Sequence, residues 1–321
     1  MPLSKVASRR ISPATYRRLA MVTVVTVVGL ILTGAAVRLT GSGLGCPKWP
    51  TCAAGHIVAP SRFHPAVEFA NRVLTGAVSV ALCLAALGAF LRTPRRRDLC
   101  WLGAGLAGGM VGEAWLGGVM VQHRLQPGFV MAHFLLGMTI LLDAVVLHHR
   151  ASLPDGTATG PTVGRDLLRL GRALPALVLA TVVAGTVVTG AGPHSGANSS
   201  DGTVAARWHL DLHRVTQVHG TLAMVTLGAV GAMWWLLRSR GAPAEALHRL
   251  QQLVEALSAQ IAVGYTQYFS GVPPLLVAVH VLGAATVWAL AVRFSLYLGS
   301  GAALDVPAVA TVAAPAAPAA A

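Results

Sequence analysis

The sequence predicts an all-α integral membrane protein of eight transmembrane helices, arranged as two pseudo-symmetric four-helix bundles. Three observations carry that prediction. Of 321 residues, 55% are hydrophobic and only 11% are charged, too few charges for an ordinary soluble domain. Apolar stretches recur along the chain, each long enough to cross a hydrocarbon core about 30 Å thick. Positive charge collects on alternate connections between those stretches, the usual bias of cytoplasmic loops. Lipid offers backbone N–H and C=O groups no partners, so the spans are helices.

The stretches fall at about 18–38, 66–91, 99–121, 128–148, 173–190, 214–237, 249–269 and 275–297, each near the roughly 20 residues a span needs. A polar cytoplasmic segment, 1–17, precedes them. The first stretch, "LAMVTVVTVVGLILTGAAV", is too long for the apolar region of a cleaved signal and is expected to remain as a helix. The spans divide into an N-terminal four-helix half, 18–148, and a C-terminal half, 173–297. The linker between them, 149–172, has loop composition. The Ala/Pro-rich tail, 298–321, has little to bury and is expected to be disordered.

The formal net charge is +13. Lys5, Arg9, Arg10, Arg17, Arg18, Arg92, Arg95, Arg96, Arg97, Arg150, Arg165, Arg169, Arg172, Arg238, Arg240, Arg249 and Arg293 all fall toward one side of the predicted topology. That bias puts both termini of a multi-pass cell-membrane protein in the cytoplasm. The charge then reports topology and attraction to anionic headgroups of the lipid bilayer; affinity for nucleic acid is excluded as its explanation. Of the four cysteines, only Cys46 and Cys52 fall on the oxidising side, in the loop "GLGCPKWPTCAAGH". A disulfide and a pair of reduced thiols are both open readings there.

A shift of 147 residues relates the halves. It maps Pro127 on Pro274, His133 on His280, Gly117 on Gly264 and Glu113 on Gln260. A shift of 148 pairs Asn71 with His219, and a shift of 149 pairs "TGSG" (40–43) with "TGAG" (189–192). With four spans per half, the repeat is parallel. Each half thereby presents two polar positions near the external ends of its even-numbered spans, and those helices are expected to lie side by side in a bundle.

An imidazole inside a membrane is costly unless paired or ligated. For His219 and His280 the bland alternative is a neutral ring bonded to a backbone carbonyl one turn away. Two imidazoles at matched depth, with no accompanying Cys or carboxylate set, suit a haem iron better than zinc or copper. Gly220, Ala223, Gly283 and Ala284 beside them would let a macrocycle approach the helices. The first half departs from this pattern: Asn71 stands where the second has His219, with Glu68 one turn before it and Arg72 after it. Glu68 and Arg72 are either an interfacial ion pair or include a carboxylate poised beside a substrate. Glu113 and Gln260 are expected to bond between helices. His56, His64, His123, His209 and His213 are assigned to the external rim, where His64 is one candidate to replace the missing imidazole. Trp49, Trp101, Trp208, Trp234 and Trp235 fit interfacial aromatic belts. Nucleotide-binding and hydrolase motifs are absent from the sequence.

Taken together, "ILTGAAVRLTGSGLGCPKWPTC", "HPAVEFANRVLTG", "LGGVMV", "MAHFLLG", "TQVHGTLA" and "GYTQYFSGVPPLLVAVHVLGA" resemble the bacterial, actinobacterial-type haem A synthases over about residues 18–297. The resemblance implies an oxidoreductase that converts the ring methyl of haem O to the formyl of haem A, for cytochrome c oxidase assembly. It implies haem b as cofactor on His219 and His280, and a haem O site with His133 and the catalytic Glu68. Asn71 and Arg72 are assigned with His133 to binding the substrate haem, Asn71 standing where the family has its other histidine. It pairs Cys46 with Cys52. The implied partners are haem O, haem O synthase and a redox partner. The alternatives are a quinol-linked b-type cytochrome for electron transfer and a transporter with parallel repeats.

Overall fold

A computed structural model of the chain describes residues 10–52, 58–156, 159–197 and 204–302. Lys5, Arg9, His56 and the part of the tail from residue 303 onward lie outside the described residues. The described residues form α1 (Pro13–Leu39), α2 (Phe63–Leu91), α3 (Arg97–Gln122), α4 (Pro127–Ser152), α5 (Arg165–Ala191), α6 (Leu212–Ser239), α7 (Ala244–Phe269) and α8 (Pro274–Ser300). A two-residue strand β1 (Thr159–Gly160) pairs antiparallel with β2 (Gly301–Ala302). The helices run past the predicted spans. In particular, α4 and α5 take up both ends of the expected linker and leave only 153–164 as a connection.

Local chemistry sets the helix starts. Ser12 accepts the backbone N–H of Thr15 at 3.2 Å, with Pro13 opening α1. Asp211 accepts the N–H groups of His213 and Arg214 at 2.9 and 3.3 Å to cap α6. Pro127 and Pro274 open α4 and α8, where a missing N–H costs nothing. The turns that feed those two prolines are also alike. Leu125 (φ 56°) donates its N–H to Met120 O at 2.9 Å, and Val272 (φ 59°) donates to Gln267 O at 2.7 Å. A left-handed backbone is unfavourable for a branched residue such as Val272, yet it recurs 147 residues after Leu125.

Seven of the helices are long and apolar enough to cross a membrane. The exception among the described helices is α7, expected as the seventh span. Glu245, His248, Arg249, Gln251, Gln252 and Glu255 crowd its first half and lower its hydropathy. Its polar groups are partnered: Arg249 reaches Glu245 at 2.7 Å and lies 4.8 Å from the Tyr297 ring centre. Ala246, Leu250, Leu253 and Leu257 form its buried stripe at helical spacing.

Helix α1 packs on α2, and α2 on α3; α3 packs on α4, and α4 returns to α1. Helices α5 to α8 pack in the same cyclic order. Between these groups α4 and α1 meet α8, and α4 meets α5. Trp288 on α8 donates its indole N–H to the Met138 carbonyl on α4 at 2.9 Å, fully inside that seam. The expected side-by-side placement of even-numbered helices does not hold. Helices α2 and α4, like α6 and α8, lie across a diagonal, and each helix packs on its neighbours in sequence.

The two ends differ. At one, Arg92 is buried with a 1% exposed side chain and grips both carboxylate oxygens of Asp155 at 2.8 Å. At the other, Arg38 Nε and Nη2 donate to the carbonyls of His194 and Thr189 at 2.7 and 2.6 Å. Gly43 N–H bonds Gly196 O at 2.8 Å, so the α1–α2 and α5–α6 loops are joined.

Removing one member of a buried ion pair strands the other charge, at a cost of about 3 kcal/mol. Asp155→Leu is therefore expected to lower the thermal midpoint of the detergent-solubilised protein, and adding Arg92→Met to recover much of the loss. Equal midpoints for wild type and the single variant, followed by tryptophan fluorescence, would show that this pair does not hold that end together.

Candidate functional site

His133 and His280 are each the seventh residue of their helices, and His219 is the eighth of α6. At about 1.5 Å rise per residue, all three stand roughly 9–11 Å inside the end opposite buried Arg92. The proline-to-histidine spacing noted in the sequence is thus a depth gauge, since each proline fixes where its helix begins.

His219 and His280 meet across the α6–α8 diagonal, with ring centroids 6.1 Å apart and planes at 77°. His219 Nδ1 lies 3.0 Å from the Thr181 carbonyl on α5. A carbonyl only accepts, so Nδ1 carries the proton and Nε2 is left as a donor to a metal. The Nδ1 atom of His280 is buried without a partner, while Gln260 on α7 donates to its backbone carbonyl at 2.8 Å. Space for both rings comes from glycine. A Cβ on Gly185 would stand 3.0 Å from His219 Cε1, and one on Gly264 would stand 3.0 Å from His280 Cε1.

This donor set fits a haem iron. Metal–imidazole bonds of roughly 2 Å on opposite sides of one ion place ring centroids about 6 Å apart. Among the described residues no group of three or more His, Cys, Asp or Glu forms a metal cluster. Two axial imidazoles whose remaining ligands come from a macrocycle match that chemistry.

In the first half His133 is set in the same way: a Cβ on Gly117 would stand 3.4 Å from its Cε1. Its Nδ1 lies 2.8 Å from Glu113 Oε2 on α3. Neither atom meets hydrogen-bond geometry with any partner, so the contact is close but not aligned. Asn71, on α2 across the diagonal, also has a buried side-chain oxygen without a partner. Glu113, expected to bond between helices, thus stands against His133, a pairing that only spacing signals in the sequence: Glu113 and Gln260 each stand 20 residues before their histidine.

Glu68 and Arg72 form the expected ion pair, with Arg72 Nη2 2.6 Å from Glu68 Oε1. The pair does more than close on itself. Glu68 Oε2 accepts the Cys46 N–H at 2.7 Å. Arg72 donates to the carbonyls of Cys46 and Thr51 at 3.1 Å and of Lys48 at 3.0 Å. Those contacts hold the loop that Cys46 and Cys52 close as a disulfide, and Trp49 from the same loop sits over Gly118 of α3. His64 is engaged by Ser42, 3.0 Å from its Nδ1. Among the small residues expected beside a macrocycle, Gly220 faces open space, whereas the space over Gly283 is filled by the Gln260 side chain. Gly283 therefore seats a neighbouring helix instead of opening a slot. Of the rim histidines, His123 stacks on Phe129 at 4.6 Å and His213 bonds the Tyr268 hydroxyl at 2.9 Å.

Fold and site together define a multi-pass helical membrane protein whose interior histidines stand near one end. The chain belongs to the COX15-CtaA family of cytochrome oxidase assembly proteins, whose model matches residues 17–64 and 58–292. It is similar to a heme A synthase of Methylobacterium nodulans, 28% identical over 297 residues, covering 77% of this chain and 82% of the relative. It is also similar to heme A synthases of Shewanella oneidensis, 29% identical over 53% of this chain and 54% of that one, and of Methylorubrum extorquens, 29% identical over 52% of each.

Charged hydrogen bonds of the Arg72 kind contribute about 1.5–3 kcal/mol each, so their loss should raise the open population of the loop roughly tenfold or more. Arg72→Ala is expected to speed proteolysis within residues 40–62 and reduction of Cys46–Cys52 by that order. Unchanged rates would show that the loop holds its shape without the guanidinium.

Proposed function

We propose that this chain is a haem A synthase, an oxidoreductase that oxidises a methyl group of haem O to the formyl group of haem A. The observation that carries this reading is the His219–His280 pair, two imidazoles spaced for one iron inside a chain of this family. The helices act as two pseudo-symmetric four-helix bundles, α1–α4 and α5–α8, in the cell membrane with both termini in the cytoplasm. The C-terminal bundle holds haem b, and the N-terminal bundle, with His133, receives haem O. When bound, haem b supplies a one-electron redox centre. Haem O synthase delivering the substrate and a redox partner removing electrons complete the setting.

The chain's own residues divide the remaining work. Thr181 fixes the tautomer and orientation of His219. Gly185 and Gly264 let the two rings approach their neighbouring helices closely. In the other bundle His133 binds the substrate iron, and Asn71 faces it from the opposite helix as a weak donor. Oxidising a methyl on a conjugated ring builds positive charge at that carbon, and the Glu68 carboxylate, one turn from Asn71, favours it in a low-dielectric site. Arg72 and the Cys46 N–H hold that carboxylate in place, so the disulfide loop serves to position it.

The test is expression in cells that make haem O but no haem A, followed by pigment extraction and haem typing. Haem A in the cells and haem b on the purified protein are expected; haem b without any haem A would favour an electron-transfer cytochrome, and a colourless preparation would sink both. His219→Ala or His280→Ala should remove the bis-imidazole spectrum. Glu68→Gln, which retains an acceptor for the Cys46 N–H, should keep haem b but lower haem A yield at least tenfold, the scale on which charge stabilisation acts in catalysis.

A further inference from the structure

The three interior histidines differ in what stands behind the ring. His219 Nδ1 faces a neutral carbonyl, Thr181 O, at 3.0 Å. His280 Nδ1 faces nothing, because Gln260 is spent on the His280 backbone. His133 Nδ1 faces the carboxylate of Glu113 at 2.8 Å. Glu113 is a built-in neighbour: its side chain is only 11% exposed, and a Cβ on Gly137 would stand 3.0 Å from its Oε1. Its Oε2 and His133 Nδ1 have no other partner, so a small ring rotation aligns each on the other. The register that relates the halves puts Gln260, an uncharged amide, at the corresponding place. On the far side Asn71 offers an amide where the second bundle has an imidazole.

A carboxylate accepting from Nδ1–H raises the basicity of the other ring nitrogen as a ligand. Stronger donation favours ferric over ferrous iron, and hydrogen bonding around the ligands is one of the protein's levers on haem potential. We propose that Glu113 is a positioning residue that makes His133 the strongest imidazole donor of the three interior histidines. The iron that His133 would bind is thereby held at a lower potential than it would have with an uncharged amide at the place of Glu113. The inference rests on the function proposed above, since it needs a haem in the N-terminal bundle.

The experiment uses full-length protein with His219→Ala, so that only the N-terminal haem is read, titrated electrochemically while its absorbance is followed. Adding Glu113→Gln should shift the ferric/ferrous ratio at fixed potential about tenfold toward ferrous, a rise of about 59 mV for a one-electron couple. Glu113→Asp, which keeps the charge at a greater distance, should fall between. A role confined to packing would lower haem occupancy and leave the midpoint where it was, and that result overturns the inference while the function stands. Should Glu113→Gln disturb folding, seen as loss of the C-terminal haem when His219 is intact, the Glu113→Asp midpoint decides alone. If the His219→Ala protein holds no haem that His133→Ala removes, the inference fails together with the two-haem reading beneath it.

Discussion

An imidazole within a bilayer has two nitrogens and no water to satisfy either, and the architecture is organised around that constraint. Each interior histidine lies against a glycine of the preceding helix: His133 on Gly117, His219 on Gly185, His280 on Gly264. The glycine lets the ring edge lie against the next helix, where a side chain would push it away. A neighbour on that same helix then deals with one nitrogen or with the histidine's backbone: Glu113, Thr181 or Gln260. At His219 this leaves Nε2 free toward the bundle interior, with the ring oriented by the Thr181 carbonyl.

The outer loops extend this preorganisation. Arg38 bridges from the end of α1 to the α5–α6 loop, and His194 of that loop reaches the Val272 carbonyl in the α7–α8 turn at 2.9 Å. Glu68 and Arg72 pin the disulfide loop from beneath. These contacts lie at the histidine end, where each of them spends a polar group that lipid could not satisfy.

Much of this was legible in the sequence. Span positions follow from apolar runs, and the matched depth of His133 and His280 follows from Pro127 and Pro274, since a proline at the first helical position sets where counting begins. The Cys46–Cys52 pairing and the Glu68–Arg72 contact are also local. The rest depends on how each helix is rotated about its axis, and a chain with few polar residues does not encode that in its period. Gly283 read as open space and is occupied by Gln260; Glu113 read as generic interhelical glue and faces His133. The diagonal placement of α2 and α4 likewise required the packing order of four helices at once. Helix α7 differs in another way: an apolar second half follows a first half whose polar residues pair with one another, several of them on an exposed face.

The packing order also explains where the halves differ. The backbones of α2 and α6 pack only on their sequence neighbours among the described helices, whereas α4 and α8 pack on each other and carry the Trp288–Met138 bond between them. His133 and His280 therefore stand on the inner wall that the bundles share, and Asn71 and His219 stand on the outer helices. On the proposed reading, a change on the outer helix would alter one axial position without disturbing the seam between α4 and α8, so the outer position can specialise each site. A histidine there locks a permanent cofactor from both sides. Asparagine leaves the iron of a substrate, which must come and go, held firmly from one side alone.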